Sequence, residues 1–131
     1  MNDLAHTVAT DVTRIMVVWL RNAGVDLRPL EAAIGCQEAA LTAPDGHVTL
    51  AVEHALLEWA VGATGNEALG LAIAQQVTGE SLGVVGYLSL QQSTLRELME
   101  TFAHFHRVLH GLATWRVQRT VHADSVEHRL P

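Results

Sequence analysis

The chain reads as a mainly α fold, an α+β arrangement of about six helices followed by a C-terminal β-hairpin that belongs to a truncated sheet. Three observations carry this. Apolar residues recur at helical spacing along most of the chain up to His110. Glycines and cap-forming Ser, Thr, Asp and Asn residues punctuate that pattern. After Gly111 the apolar period drops to two.

The elements follow in order. Val12, Ile15, Met16, Trp19, Leu20 and Ala23 share one helical face, opened by Thr10 or Asp11 and closed by Gly24. A shorter helix follows, with Asp26 as its cap, Pro29 in its first turn and Gly35 at its end. Ala43-Pro44-Asp45-Gly46 is a turn. Val48 to Ala63 repeats the helical pattern through Val52, Ala55, Leu56, Trp59 and Ala60, with Thr49 as N-cap. Gly62, Gly65 and Asn66 break the chain, and Asn66 caps a helix through Leu69, Ile73 and Ala74. Around Gly79 the chain breaks again. Gly83 and Gly86 then space an apolar helix whose glycine face admits a close neighbour, a packed helix more readily than a ligand. Thr94 and Glu97 stand at capping-box spacing ahead of a stripe of Leu95, Leu98, Met99, Phe102, His106 and Leu109. Trp115, Val117 and Val121 alternate with Arg116, Gln118 and Thr120. Val126, His128 and Leu130 alternate with Glu127 and Arg129, and His122 to Ser125 form the turn between.

Composition narrows the function. A length of 131 residues fits one domain, and 49% hydrophobic against 17% charged residues allows a real core. The net charge of −6 argues against direct nucleic-acid binding, since phosphate contacts call for a basic excess. The nearest cationic set is Arg107, Arg116, Arg119 and Arg129, interleaved with Asp124 and Glu127. The single cysteine, Cys36, rules out a disulfide within the chain and suits a reducing cytoplasm; it reads as a small, partly buried apolar residue. The longest apolar run, Ile15 to Leu20, has six residues, far short of a membrane span, and the first residues resemble no targeting segment.

Histidines and aromatics carry what chemistry there is. His106 and His110 are four apart, a spacing that suits a metal on a helix, but a lone pair of this kind more often serves surface or packing. His104 points elsewhere. His106 lies on the apolar stripe, where it either orients a ligand in an apolar cavity or is a core histidine bonded to backbone. Trp19 and Trp59 read as core. Tyr87 and Trp115 are the better ligand candidates, because each carries a polar tip next to a glycine or a strand. Gly79 to Gly83 lacks the lysine and context of a phosphate loop, and Ser89 and Ser93 lack the glycine flanks of a nucleophile elbow. No pattern points to an enzyme or to a cofactor.

Several segments in their order resemble one family. They are Asn22 to Asp26, Leu30 to Gly35, Thr64 to Leu71 and, most specific, Gly83 to Leu98 followed by Phe102 to Leu109. Together, from about Thr10 to Pro131, they resemble the N-terminal effector-binding (arabinose-binding-like) domain of AraC-type transcriptional regulators. The resemblance implies that residues 1–131 are a truncated effector-binding and dimerisation domain, without the helix-turn-helix domain that binds DNA. It implies a small-molecule effector of unknown identity as partner, DNA contact only through the missing domain, a homodimer and a cytoplasmic location. Tyr87, His106 and Trp115 are the expected effector contacts. Two alternatives remain: a ligand-free dimerisation or scaffold module, and a small metal sensor using His104, His106 and His110.

Overall fold

The computed structural model describes residues 6–111, 113–119 and 124–129. Among them run seven α-helices and two small antiparallel sheets: β1 (Thr7–Ala9), α1 (Thr10–Asn22), α2 (Leu30–Ile34), α3 (Glu38–Leu41), β2 (His47–Thr49), α4 (Leu50–Thr64), α5 (Leu69–Ala74), α6 (Gly83–Leu90), α7 (Leu95–Phe105), β3 (Thr114–Arg119) and β4 (Asp124–Arg129). Two 3-10 turns, Gly79–Leu82 and His106–Val108, precede α6 and follow α7. The mainly α class with a C-terminal hairpin is therefore what the sequence led us to expect.

α1 sits between two apolar clusters. Val17 and Leu20 enter the larger one with Leu30, Leu41, Leu56 and Leu69, all fully buried. Val12 packs instead on a smaller cluster of Ala9, Val85 and Leu109, which lies beneath α6 and the end of α7. The buried row of α1 is not the expected apolar stripe. It runs Thr10, Thr13, Val17, Leu20, while Val12, Ile15, Met16 and Trp19 are half-buried and Ala23 is exposed. Hydrogen bonding explains the shift. Thr10 Oγ1 donates to the Ala43 carbonyl at 2.6 Å and accepts from the Gly46 amide at 3.1 Å. Thr13 Oγ1 donates to the Leu41 carbonyl at 2.6 Å. Both hydroxyls satisfy carbonyls of the Leu41–Gly46 loop, which would otherwise be covered without partners.

The caps explain where helices begin and end. Thr49 Oγ1 accepts from the Val52 amide at 3.4 Å, as expected of an N-cap. Gly65 ends α4 at φ 63°, a left-handed position that glycine takes without strain. Thr94 and Glu97 form the expected capping box on α7. Thr10 and Asp11, expected to open α1, lie inside it, and the helix starts after Ala9 with no side-chain cap. Two further expected caps shape the approach to a helix rather than its first turn. Asp26 Oδ1 accepts from the Arg28 amide at 3.0 Å, and α2 starts only at Leu30. Asn66 Oδ1 accepts from the Ala68 amide at 2.9 Å, and α5 starts only at Leu69.

Three features differ from the sequence reading. α3 is an additional helix of four residues, a single turn too short to show a period. β1 and β2 pair in the register Thr7↔Thr49, Val8↔Val48, Ala9↔His47, so Val48 belongs to a strand rather than to the start of α4. The last helix stops at Phe105 and tightens into the 3-10 turn, where a helix running on to a stop at Gly111 was expected. The glycine-spaced segment packs as anticipated. A Cβ on Gly86 would overlap the Gly79 carbonyl, so this glycine admits the backbone of the preceding 3-10 turn. The hairpin holds the register Thr114↔Arg129, Trp115↔His128, Arg116↔Glu127, Val117↔Val126. Trp115 and Val117 are half-buried while Thr114, Arg116 and Gln118 are exposed, the expected alternation. Asp124 and Ser125, expected in the turn, open β4; Val121, His122, Ala123 and Leu130 lie outside the described residues.

Candidate functional site

The described site gathers where α7 meets β3. The capping box starts α7, and its i, i+4 spacing sets Phe102 beside His106, with ring centroids 5.2 Å apart. Past the 3-10 turn the chain does not leave the body directly. It docks on the free edge of β1: the Ala9 amide donates to the Leu109 carbonyl at 2.8 Å, and the Gly111 amide to the Thr7 carbonyl at 3.0 Å. Val8 and His110 form the bridge between these two bonds. Leu109 and Ala113 are buried there, and this anchor aims β3 back across α7. Trp115 thereby reaches Phe102 edge-on at 5.5 Å and His106 at 5.5 Å, while His106 and His110 stack at 6.1 Å.

His106 and Trp115, two of the three residues expected from sequence, therefore share one ring cluster. Tyr87 is not brought to it: it is 63% exposed on α6 and makes no ring contact among the described residues. His104 lies apart from His106, edge-on to Phe105 at 4.7 Å. Cys36 is half-buried against the larger apolar cluster. Among the described residues no three His, Cys, Asp or Glu side chains are placed to hold a metal ion.

Behind the rings lies a pair that sequence reasoning missed. His110 Nε2 stands 3.6 Å from Glu53 Oε2, with side chains only 16% and 12% exposed. His110 Nδ1 accepts the Ala113 amide at 3.2 Å, so Nε2 is the nitrogen that presents a proton to the carboxylate. Burial pushes the Glu53 carboxyl above its ordinary range, while His110 and His54 pull it down. Glu53 stands three and seven residues before Leu56 and Ala60, in line with the buried row of α4, and that spacing is the local signal of its burial. It meets His110 because β1 brings the two ends of the fold together.

Cavities among the described residues lie outside the ring cluster. One of about 170 Å³ is lined by Arg14, Ile15, Val18, Trp19, Gln76 and Ser81. Its one charged wall is already matched, because Arg14 pairs with Asp11 one helical turn away. An open groove of about 710 Å³ runs between Trp19 and Trp59 along the α1–α2 connection. The third, about 320 Å³, is lined by Thr7, His47, Arg107 and Val108, on the turn that carries His106.

The described residues thus form a helical body with a hairpin docked on its last helix and half-buried rings at the joint. The family described as the arabinose-binding domain of AraC transcription regulators, N-terminal, matches residues 24–131, and the chain belongs to it. That family is a regulatory, ligand-binding one and not an enzyme family. No curated protein matches the chain. No helix among the described residues is long and apolar enough to cross a membrane.

Proposed function

We propose that this chain is the sensing part of an AraC-type transcription regulator. In this reading it binds a small-molecule effector in the cytoplasm, catalyses nothing itself, and controls transcription through a DNA-binding domain outside these residues. Family membership supports the class. The observation that carries the site is the meeting of His106 and Trp115 at the joint between the helical body and the hairpin. A ligand there would touch the last turn of α7 and the first strand of the hairpin together. It would thus favour one setting of the hairpin over another, which is what a sensor needs from differential binding. His106 supplies a polar group among apolar neighbours, and the Trp115 indole an apolar face with one donor.

The test is a thermal-shift screen of small metabolites on the regulator, since a ligand of the native state raises its melting temperature. His106→Ala is then expected to weaken binding of the effector found while the protein stays folded. Unchanged affinity in a folded His106→Ala protein removes this residue from the site. Tyr87 is part of the proposal as a contact from α6, and Tyr87→Phe with unaltered affinity removes it likewise. Homodimer formation also belongs to this reading. Val84 and Leu90 present an apolar surface on α6, each at least 59% exposed, that a second copy would cover. Sedimentation equilibrium that finds only monomer at high concentration would refute it.

A further inference from the structure

The cavity of about 320 Å³ beside the site has its own chemistry. Val8 and Val48 turn into the protein, so the strand pleat places Thr7 and His47 on the opposite face of the β1–β2 ribbon. The bonds from Leu109 and Gly111 to β1 bring the preceding residues, Arg107 and Val108, over that face. The walls are mostly apolar, and among the described residues no carboxylate lines the cavity. Arg107 has no ion pair or hydrogen bond among the described residues. Its guanidinium is permanently charged and presents a planar fork of donors that fits a carboxylate. The volume is at the small end of the roughly 300–1,000 Å³ typical of ligand sites.

We propose that this cavity binds a small monocarboxylic acid with an apolar body, its carboxylate on Arg107 with His47 alongside and its body against Val108. One permanent cation matches one negative charge, and apolar walls reward a carbon skeleton over a bare inorganic anion. The proposal rests on the ligand-binding reading above and gives the ligand a class. It also gives a route to the hairpin, because Arg107 and Val108 share their 3-10 turn with His106. An acid seated on one side of the turn would fix the side chains on the other.

The experiment titrates the protein with 3-phenylpropionate, its amide and inorganic phosphate. It follows the Arg107 Nε–Hε resonance and the backbone amides by NMR. Saturable binding of the acid with movement of the Arg107 resonance is expected. The amide and phosphate should each bind about tenfold more weakly or worse, because charge-assisted hydrogen bonds or apolar contacts are lost. Arg107→Gln should weaken the acid by about tenfold while leaving the melting temperature unchanged. Equal binding of the amide, equal binding of phosphate, an unmoved Arg107 resonance or full retention in Arg107→Gln would each overturn the proposal. Should Arg107→Gln fold poorly, the acid–amide comparison in the native sequence decides alone. If the acid fails here while a metabolite still binds in a manner dependent on His106, the sensing reading stands and only this cavity loses its role.

Discussion

Polar residues inside this protein are held by what they bond. Thr10 and Thr13 sit in the buried row of α1 because each hydroxyl reaches a loop carbonyl at 2.6 Å. Glu53 is less well served, facing one imidazole nitrogen at 3.6 Å. Burial holds its carboxyl above the ordinary range, so the native state keeps this proton to a higher pH than the unfolded chain does. The stability contributed by the group is then fully present below its unfolded pKa and lost as the pH rises through the folded one. We expect the melting temperature of Glu53→Gln to gain on that of the native sequence as the pH rises above the ordinary glutamate range. The opposite trend would mean that the attraction of His110 outweighs burial. Asp26 behaves in the reverse sense. Hydrogen bonds from Arg28 lower its pKa to about 2 on an open surface. Whatever stability it adds is present above its unfolded value and fades as the pH falls through the folded one. Of the candidate site, His106 and Trp115 were legible in the sequence because each is a polar-tipped residue on an apolar row. Glu53 and His47 were not: Glu53 is in register with the buried Leu56 and Ala60, but its partner His110 is distant in the chain, and nothing near His47 marks it.

The helices are set by caps and glycines whose roles can be separated by substitution. Gly62 and Gly86 both lie within helices, yet their surroundings differ. A Cβ on Gly62 meets nothing within 4 Å, whereas one on Gly86 overlaps the Gly79 carbonyl. Gly62→Ala is expected to stabilise the fold by about 0.5–1 kcal/mol, from helix propensity alone. Gly86→Ala should destabilise it by about 1–3 kcal/mol, because the 3-10 turn must move off α6. Chemical denaturation of both proteins checks this pair, and equal signs would refute the packing role of Gly86. At the start of α7, Thr94 Oγ1 accepts from the Glu97 amide at 3.2 Å and Glu97 Oε2 from the Thr94 amide at 3.1 Å. Thr94→Ala should cost about 1 kcal/mol in the same measurement. Element type was readable for every helix longer than one turn, since a period and a cap are local properties. The single turn of α3 and the three-residue strands β1 and β2 were not, because they are shorter than any period that could announce them.

At the scale of the molecule, β1 is the joint. It pairs with β2 along one edge and takes the Leu109–Gly111 segment along the other, so the ribbon and the segment leading into the hairpin meet at Val8. Val8 is fully buried there. Val8→Ala should cost about 2 kcal/mol through lost burial and the cavity left behind. It should also change Trp115 emission, resolved by replacing Trp19 and Trp59 with Phe; a stability loss with unchanged emission would separate the hairpin from this joint. The sequence by itself determined the mainly α class, the hairpin after Gly111, the caps of α4 and α7 and the family likeness, because all of these are written in neighbours a few residues apart. Only the tertiary structure decided that Glu53 faces His110, that the buried row of α1 includes two threonines, that Arg107 and His47 line one cavity and that Tyr87 stands outside the ring cluster. Those pairings depend on which surfaces bury together when distant segments pack. A local pattern of apolar and polar residues leaves that choice open until β1 draws the two ends of the fold to one place.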